Sequence, residues 1–202
     1  KLSSISSEYT SEIFENKDAI NSMLCYGDGY KDYNILESRG GIPDNFNVKG
    51  YSYTIASFLS VLCENVGMMN CFPQEDFPIP EGYQSKKVLQ LPGEHTVYGV
   101  ILYDANSNTL FLVWSGTSNL KMIEEDVNTL PVPMKGTSSN ENIHVHRGFL
   151  NAYEKVNDYF KLFDLLNSYI VDDKTTIVIT GNSLGGGLTL SLIHISEPTR
   201  PY

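Results

Sequence analysis

The sequence predicts an α/β fold, and three stretches carry that expectation. A β-branched run, TTIVIT at 175–180, leads straight into a glycine-rich corner, GNSLGGG, and then into helix-compatible residues. Upstream, TVYGVILYDANSNTLFLVWSGTS holds two β-rich runs around a polar turn, DANSN. Between these lies HVHRGFLNAYEKVNDYFKLFDLLNSYI, where Phe149, Tyr153, Val156, Phe160 and Phe163 recur every three or four residues. Strands alternating with long amphipathic helices point to a sheet covered by helices.

Each element follows from local pattern. Residues 1 to about 50 are polar, with the turn signals YGDGY and SRGGIPDN, and read as loops with one short helix. In YTIASFLSVLCENVG, Ile55, Phe58, Leu59 and Leu62 fall at helical spacing, with Gly67 as the expected stop. Residues 70–95 carry Pro73, Pro78, Pro80 and Pro92 and read as loop. Leu110–Trp114 is apolar throughout, as a buried central strand is. NLKMIEEDVNTL places Leu120, Ile123 and Val127 on one helical face. PVPMKGTSSNEN reads as loop, and one long helix is expected from about Gly148. There is no internal repeat and no low-complexity tract.

Composition narrows the function classes. The chain has 202 residues, 41% hydrophobic and 19% charged, which suits one globular domain. Its net charge of -10 argues against nucleic acid, which is bound by clustered Lys and Arg, and against docking to anionic lipid. It leaves neutral lipids and uncharged esters open. No run is apolar for long enough to span a bilayer. Three cysteines, Cys25, Cys63 and Cys71, lack C-x-x-C spacing and read as free or partly paired thiols rather than a metal site. The sequence leaves secretion and localisation open.

The corner carries the chemistry. Gly181, Ser183 and Gly185 form G-x-S-x-G. A serine nucleophile has to project from a tight strand-to-helix turn in a strained backbone conformation. Side chains two positions before and after it would collide, so glycine occupies both. The following helix aims its N-terminal N–H groups at the site, where they favour a developing oxyanion. Leu184 N–H is placed to be one donor. A phosphate cradle is the competing use of such a loop, but the Lys of a P-loop does not follow.

TIVITGNSLGGGLTL resembles the nucleophile elbow of the class 3 (fungal-type) lipases, which have the α/β-hydrolase fold. Three further stretches agree in order. LFLVWSGTSN is similar to the family strand ending in R-G-T or R-G-S, EEDVNTLPVP to its D-x-x-x-x-P-V segment, and VHRGFLNAYEKV to its V-H-x-G-F-x-x-x-Y motif. The resemblance runs from about Tyr98 to Thr189. It implies a mostly parallel central sheet with flanking helices, and an enzyme hydrolysing carboxylic esters of acylglycerols or phospholipids through an acyl-enzyme. Ser183 would be the nucleophile, and Thr117 and Leu184 the oxyanion hole, Thr117 through its N–H and its hydroxyl. Ser118 to Val127 falls where fungal members carry the lid. His146 and Asp126 match structural positions, since triad order in this fold is Ser, Asp, His. No metal or cofactor is implied. The expected partner is a lipid or ester substrate at a lipid–water interface, with no nucleic acid and no protein partner. Two positions depart from the pattern: Ser115 stands where the family carries an anchoring Arg, and Asn182 where it carries His. A feruloyl or other non-lipid esterase and a non-catalytic binding protein are the alternatives.

A serine hydroxyl needs a base. The residues after Ser183 contain no Asp and one His, His194. Eleven residues of helix would carry His194 about 16 Å along the axis, away from Ser183. Leu190–Arg200, LSLIHISEPTR, resembles residue for residue the translation of a transposase sequencing-library adapter. The expected organisation is therefore a partial, C-terminally truncated lipase-like domain at 1–189 and a non-native tail at 190–202. The triad Asp and His would lie in a longer parent, and this fragment would be inactive.

Overall fold

The structure is a computed structural model, and it describes residues 53–71, 82–133 and 144–196. The expectations for residues 1–50, for Pro73, Pro78 and Pro80, and for most of the PVPMKGTSSNEN loop at 131–142 lie outside them.

Helix α1 (Tyr53–Cys71) is followed by strands β1 (Tyr83–Gln90), β2 (Val97–Asp104) and β3 (Thr109–Trp114). Then come α2 (Leu120–Val127), the short strands β4 (Pro131–Pro133) and β5 (His144–His146), α3 (Arg147–Phe160) and α4 (Leu162–Tyr169). Strand β6 (Thr176–Gly181) and helix α5 (Leu184–Ser196) complete the described chain. The main sheet has the order β1-β2-β3-β6. Its β1–β2 and β2–β3 pairings are antiparallel and β3–β6 is parallel. The expected mostly parallel sheet is instead mixed: among the described strands of the main sheet only the pairing where the corner strand enters is parallel. The other two pairings are antiparallel because short turns join β1, β2 and β3. The β2–β3 turn is clamped by Asp104, which accepts from Asn106 N, Ser107 N and Ser107 Oγ at 3.0, 3.2 and 2.6 Å.

Both faces of the sheet are covered, which is why β3 is apolar from Leu110 to Trp114. Leu110, Leu112 and Trp114 pack with Tyr153, Val156, Leu162 and Leu188 on one face. Phe111 and Val113 meet Phe58, Leu62 and Val66 of α1 on the other. All six residues of β3 are buried.

Five further expectations are corrected. Helix α1 runs past Gly67 to Cys71, since one glycine inside a helix costs only about 1 kcal/mol. Part of the 70–95 loop is β1, missed because its Lys- and Gln-rich sequence is that of an exposed edge strand. Pro131–Pro133 is a short strand rather than loop, paired to β5 through Val132 and Val145. The buried stripe of α2 includes Met122 and Glu125, while Val127 is 47% exposed. Glu125 faces inward because Lys155 Nζ of α3 donates to it at 2.5 Å. The long helix is broken in two at Lys161, a left-handed residue (φ 52°). The break resets the helical phase, so that Leu162 and Leu166 turn inward and Phe163 stays 37% exposed.

Candidate active site at the strand–helix corner

The corner forms because β6 ends beside β3 and the chain reverses within two residues. Ser183 sits at φ 53°, one of three described non-glycine residues in the left-handed region. A side chain there is strained, and the surroundings hold it in place. A Cβ on Gly181 would lie 2.3 Å from the Gly185 carbonyl, and one on Gly185 would lie 2.7 Å from Ser115 O. Both glycines therefore permit close backbone approach, as the spacing predicts. Gly185 N donates to Asn182 O and Gly186 N to Ser183 O, each at 2.9 Å, closing the first turn of α5. Leu184 is buried and fixes that turn to the core. Its N–H, at the start of the helix, has no intrahelical acceptor.

Ser183 is exposed and opens on a cleft of about 480 Å³. One wall holds Gly116, Thr117, Ser118, Asn182 and Ser183; the other is the α1 face bearing Ser60, Cys63, Glu64, Gly67, Met68 and Cys71. Ser183 and Thr117 are thus brought to one cleft, with Leu184 the next residue along. The α1 wall is a part of the site that sequence reasoning missed, because no local pattern tells a cleft-lining helix face from a packed one. Cys71 is disulfide-bonded and Cys63 is a free, buried thiol, in keeping with partly paired cysteines.

Thr117 donates its hydroxyl proton to Asp126 Oδ2 of α2. The hydroxyl is thereby engaged, which leaves the backbone N–H of Thr117, rather than its hydroxyl, for a bound anion. Burial pushes the Asp126 carboxyl above the usual range, against the opposing pull of the Thr117 hydroxyl and of His146. The folded state then binds more protons than the unfolded one between the ordinary and the raised pKa. Stability should fall as pH rises through that window, from about pH 4 upward. Asp126→Asn keeps an acceptor for Thr117 and removes the titration. Its urea midpoint should depend less on pH than the wild type's over that window, and equal slopes would contradict the assignment.

His146 is structural. Its Nδ1 accepts from Phe149 N at 3.3 Å and caps α3. The proton therefore sits on Nε2, 3.1 Å from Asp126 O, to which it donates. The ring stacks on Phe149 with centroids 4.1 Å apart. His144, in β5, is exposed. His194 lies eleven residues past Ser183 along α5. Among the described residues, no histidine or aspartate side chain is hydrogen-bonded to Ser183, and no cluster of His, Cys, Asp or Glu could hold a metal ion.

The family model for class 3 lipases matches residues 111–196. That match takes in the corner, the Thr117 segment and the H-x-G-F stretch, and it extends past Thr189. Among solved structures, a fungal lipase–inhibitor complex described as a model for interfacial activation is 20% identical with a TM-score of 0.56, covering 71% of this chain and 54% of its own. The Rhizomucor miehei triacylglyceride lipase is 18% identical with a TM-score of 0.56, covering 74% and 58%. A triacylglycerol lipase whose catalytic centre is described as a serine protease triad is 19% identical with a TM-score of 0.52, covering 75% and 58%. The chain spans a little over half the length of these proteins. Among curated proteins no significant sequence match is found. These structural likenesses fix the fold.

Proposed function

We propose that this chain, whose residues 111–196 match the class 3 lipase model and whose fold is that of the α/β-hydrolases, is a serine ester hydrolase of lipase type. Ser183 Oγ attacks the ester carbonyl, and its proton passes to a histidine. The N–H groups of Leu184 and Thr117 hold the oxyanion, the alcohol leaves, and water frees the acid from the acyl-enzyme. The single observation that carries this reading is the exposed, left-handed Ser183, set between two glycines where a Cβ would clash and opening on the cleft shared with Thr117.

The histidine and its acid partner would come from sequence downstream of Thr189 in the parent protein. Residues 190–202 are read as adapter-derived. The run from Leu190 to Ile195 is helix-compatible whatever its origin, so the continuation of α5 to Ser196 does not bear on it. Sequencing the gene past the Thr189 codon tests this. A frame that continues into an Asp and a later His supports it, whereas encoded LSLIHISEPTRPY followed by a stop overturns it.

The substrate class is a neutral acylglycerol met at a lipid–water interface. Neutral esters suit a chain of net charge -10, and the α2 segment next to the cleft exposes Val127 and, just beyond it, Leu130. The test is the hydrolysis rate of a short-chain triacylglycerol by the full-length protein as concentration crosses the solubility limit. A rise in rate at that limit is expected. Saturation below it, with faster hydrolysis of a soluble feruloyl ester, would replace lipase by esterase.

A further inference from the structure

We propose that Asn70, on the last turn of α1, is a positioning residue that aims the Thr117 N–H into the cleft. The proposal rests on the hydrolase reading above and names the device that sets its oxyanion hole.

The Asn70 side-chain amide docks on Val97 as a neighbouring strand would. Its Oδ1 accepts from Val97 N at 2.7 Å, and its Nδ2 donates to Val97 O at 2.9 Å. The same Nδ2 donates to Ser118 Oγ at 2.9 Å and to Ser115 Oγ at 3.3 Å. Both serines are buried, Ser115 completely. With their oxygens turned to Asn70, both hydroxyls reach one shared acceptor, the carbonyl of Gly116, at 2.9 Å from Ser115 Oγ and 3.3 Å from Ser118 Oγ, the Ser118 hydroxyl also lying 3.4 Å from Ser115 Oγ and 3.6 Å from Met122 Sδ.

That carbonyl belongs to the peptide unit whose other end is the Thr117 N–H. A trans peptide is planar, so its N–H points opposite to its C=O. Holding the Gly116 oxygen therefore fixes the direction of the Thr117 N–H. The chain of command runs from the Asn70 amide to two hydroxyls, to one carbonyl, to one N–H. It is neutral throughout. Ser115 replaces the family's Arg without leaving a buried charge to be compensated, and Asn70 does its orienting from another element. Asn119 joins the network, donating to Asn70 Oδ1 at 3.4 Å and Thr96 Oγ1 at 3.2 Å while its own Oδ1 caps α2 at Met122 N.

Asn70→Asp is the informative variant. It keeps the acceptor for Val97 N but removes both amide protons, so the serine hydroxyls turn toward the new carboxylate and release Gly116 O. Losing one oxyanion donor lowers kcat by about 10²- to 10³-fold. In the full-length protein, Asn70→Asp should lower kcat for a soluble p-nitrophenyl ester by about 10²-fold, with KM changed by less than about twofold. Ser118→Ala removes one of the two hydroxyls and provides a variant with a milder effect on folding. Its kcat should fall by less, and the double variant should lose no more than Asn70→Asp alone. An unchanged kcat in folded Asn70→Asp, or losses that multiply in the double variant, would overturn the proposal. An inactive wild type would instead sink the hydrolase reading on which it rests.

Discussion

Replacing Ser183 by alanine in the full-length protein should lower kcat for ester hydrolysis by on the order of 10⁶-fold while leaving the fold intact. The magnitude is that of removing a serine nucleophile whose partners act with it as a unit. Stability should change little or improve. Ser183 is exposed, so truncation leaves no cavity, although alanine keeps the left-handed strain at φ 53°. Activity is measured on a soluble ester and folding by thermal denaturation. A residual rate within tenfold of wild type would remove Ser183 from the mechanism.

Gly148→Ala should be the most damaging small substitution for stability. A Cβ at Gly148 would lie 1.7 Å from the carbonyl oxygen of Glu125 and 2.6 Å from its carbon, both backbone atoms that no rotamer change can move aside. The start of α3 and the end of α2 would have to separate. That would break the Gly148 N to Asn128 O bond at 3.2 Å and strain the bond between His146 and Asp126 O. Overpacking of this kind costs about 3 kcal/mol or more, which lowers the melting temperature by roughly 10 °C for a domain of this size. Ester hydrolysis should fall as well, because Asp126 is the partner of the Thr117 hydroxyl. Gly67→Ala is the control. A Cβ there meets nothing within 4 Å, so alanine inside α1 should stabilise by up to about 1 kcal/mol. Equal melting temperatures for Gly148→Ala and wild type would mean that α2 and α3 do not pack as described.

The corner was legible in the sequence because its constraints are local. Gly181, Ser183 and Gly185 are forced by atoms within a few residues or on the adjacent strand, and residue type reports such contacts directly. The hairpin was legible for the same reason, as was the burial of β3 on both faces. What escaped was long-range or unmarked. The bonds from Asn70 to Val97, Ser115 and Ser118 span 27, 45 and 48 residues, and an asparagine near the end of an apolar helix carries no sign of them. The break at Lys161 has neither glycine nor proline to announce it. It arises because two short helices bury Leu162 and Leu166 where one long helix would expose them. On α2, apolar periodicity pointed to Val127, but an ion pair and a glycine contact from α3 decide which face is buried.

The central claim is that Ser183 is the group that becomes acylated. It is tested most directly by treating the full-length protein with a p-nitrophenyl alkylphosphonate and mapping the adduct by peptide mass spectrometry. The account predicts one phosphonyl group per molecule, on the peptide that contains Ser183, with ester hydrolysis lost in proportion and no labelling of Ser183→Ala. Inactivation with the adduct on any other residue, or undiminished labelling of Ser183→Ala, would contradict it.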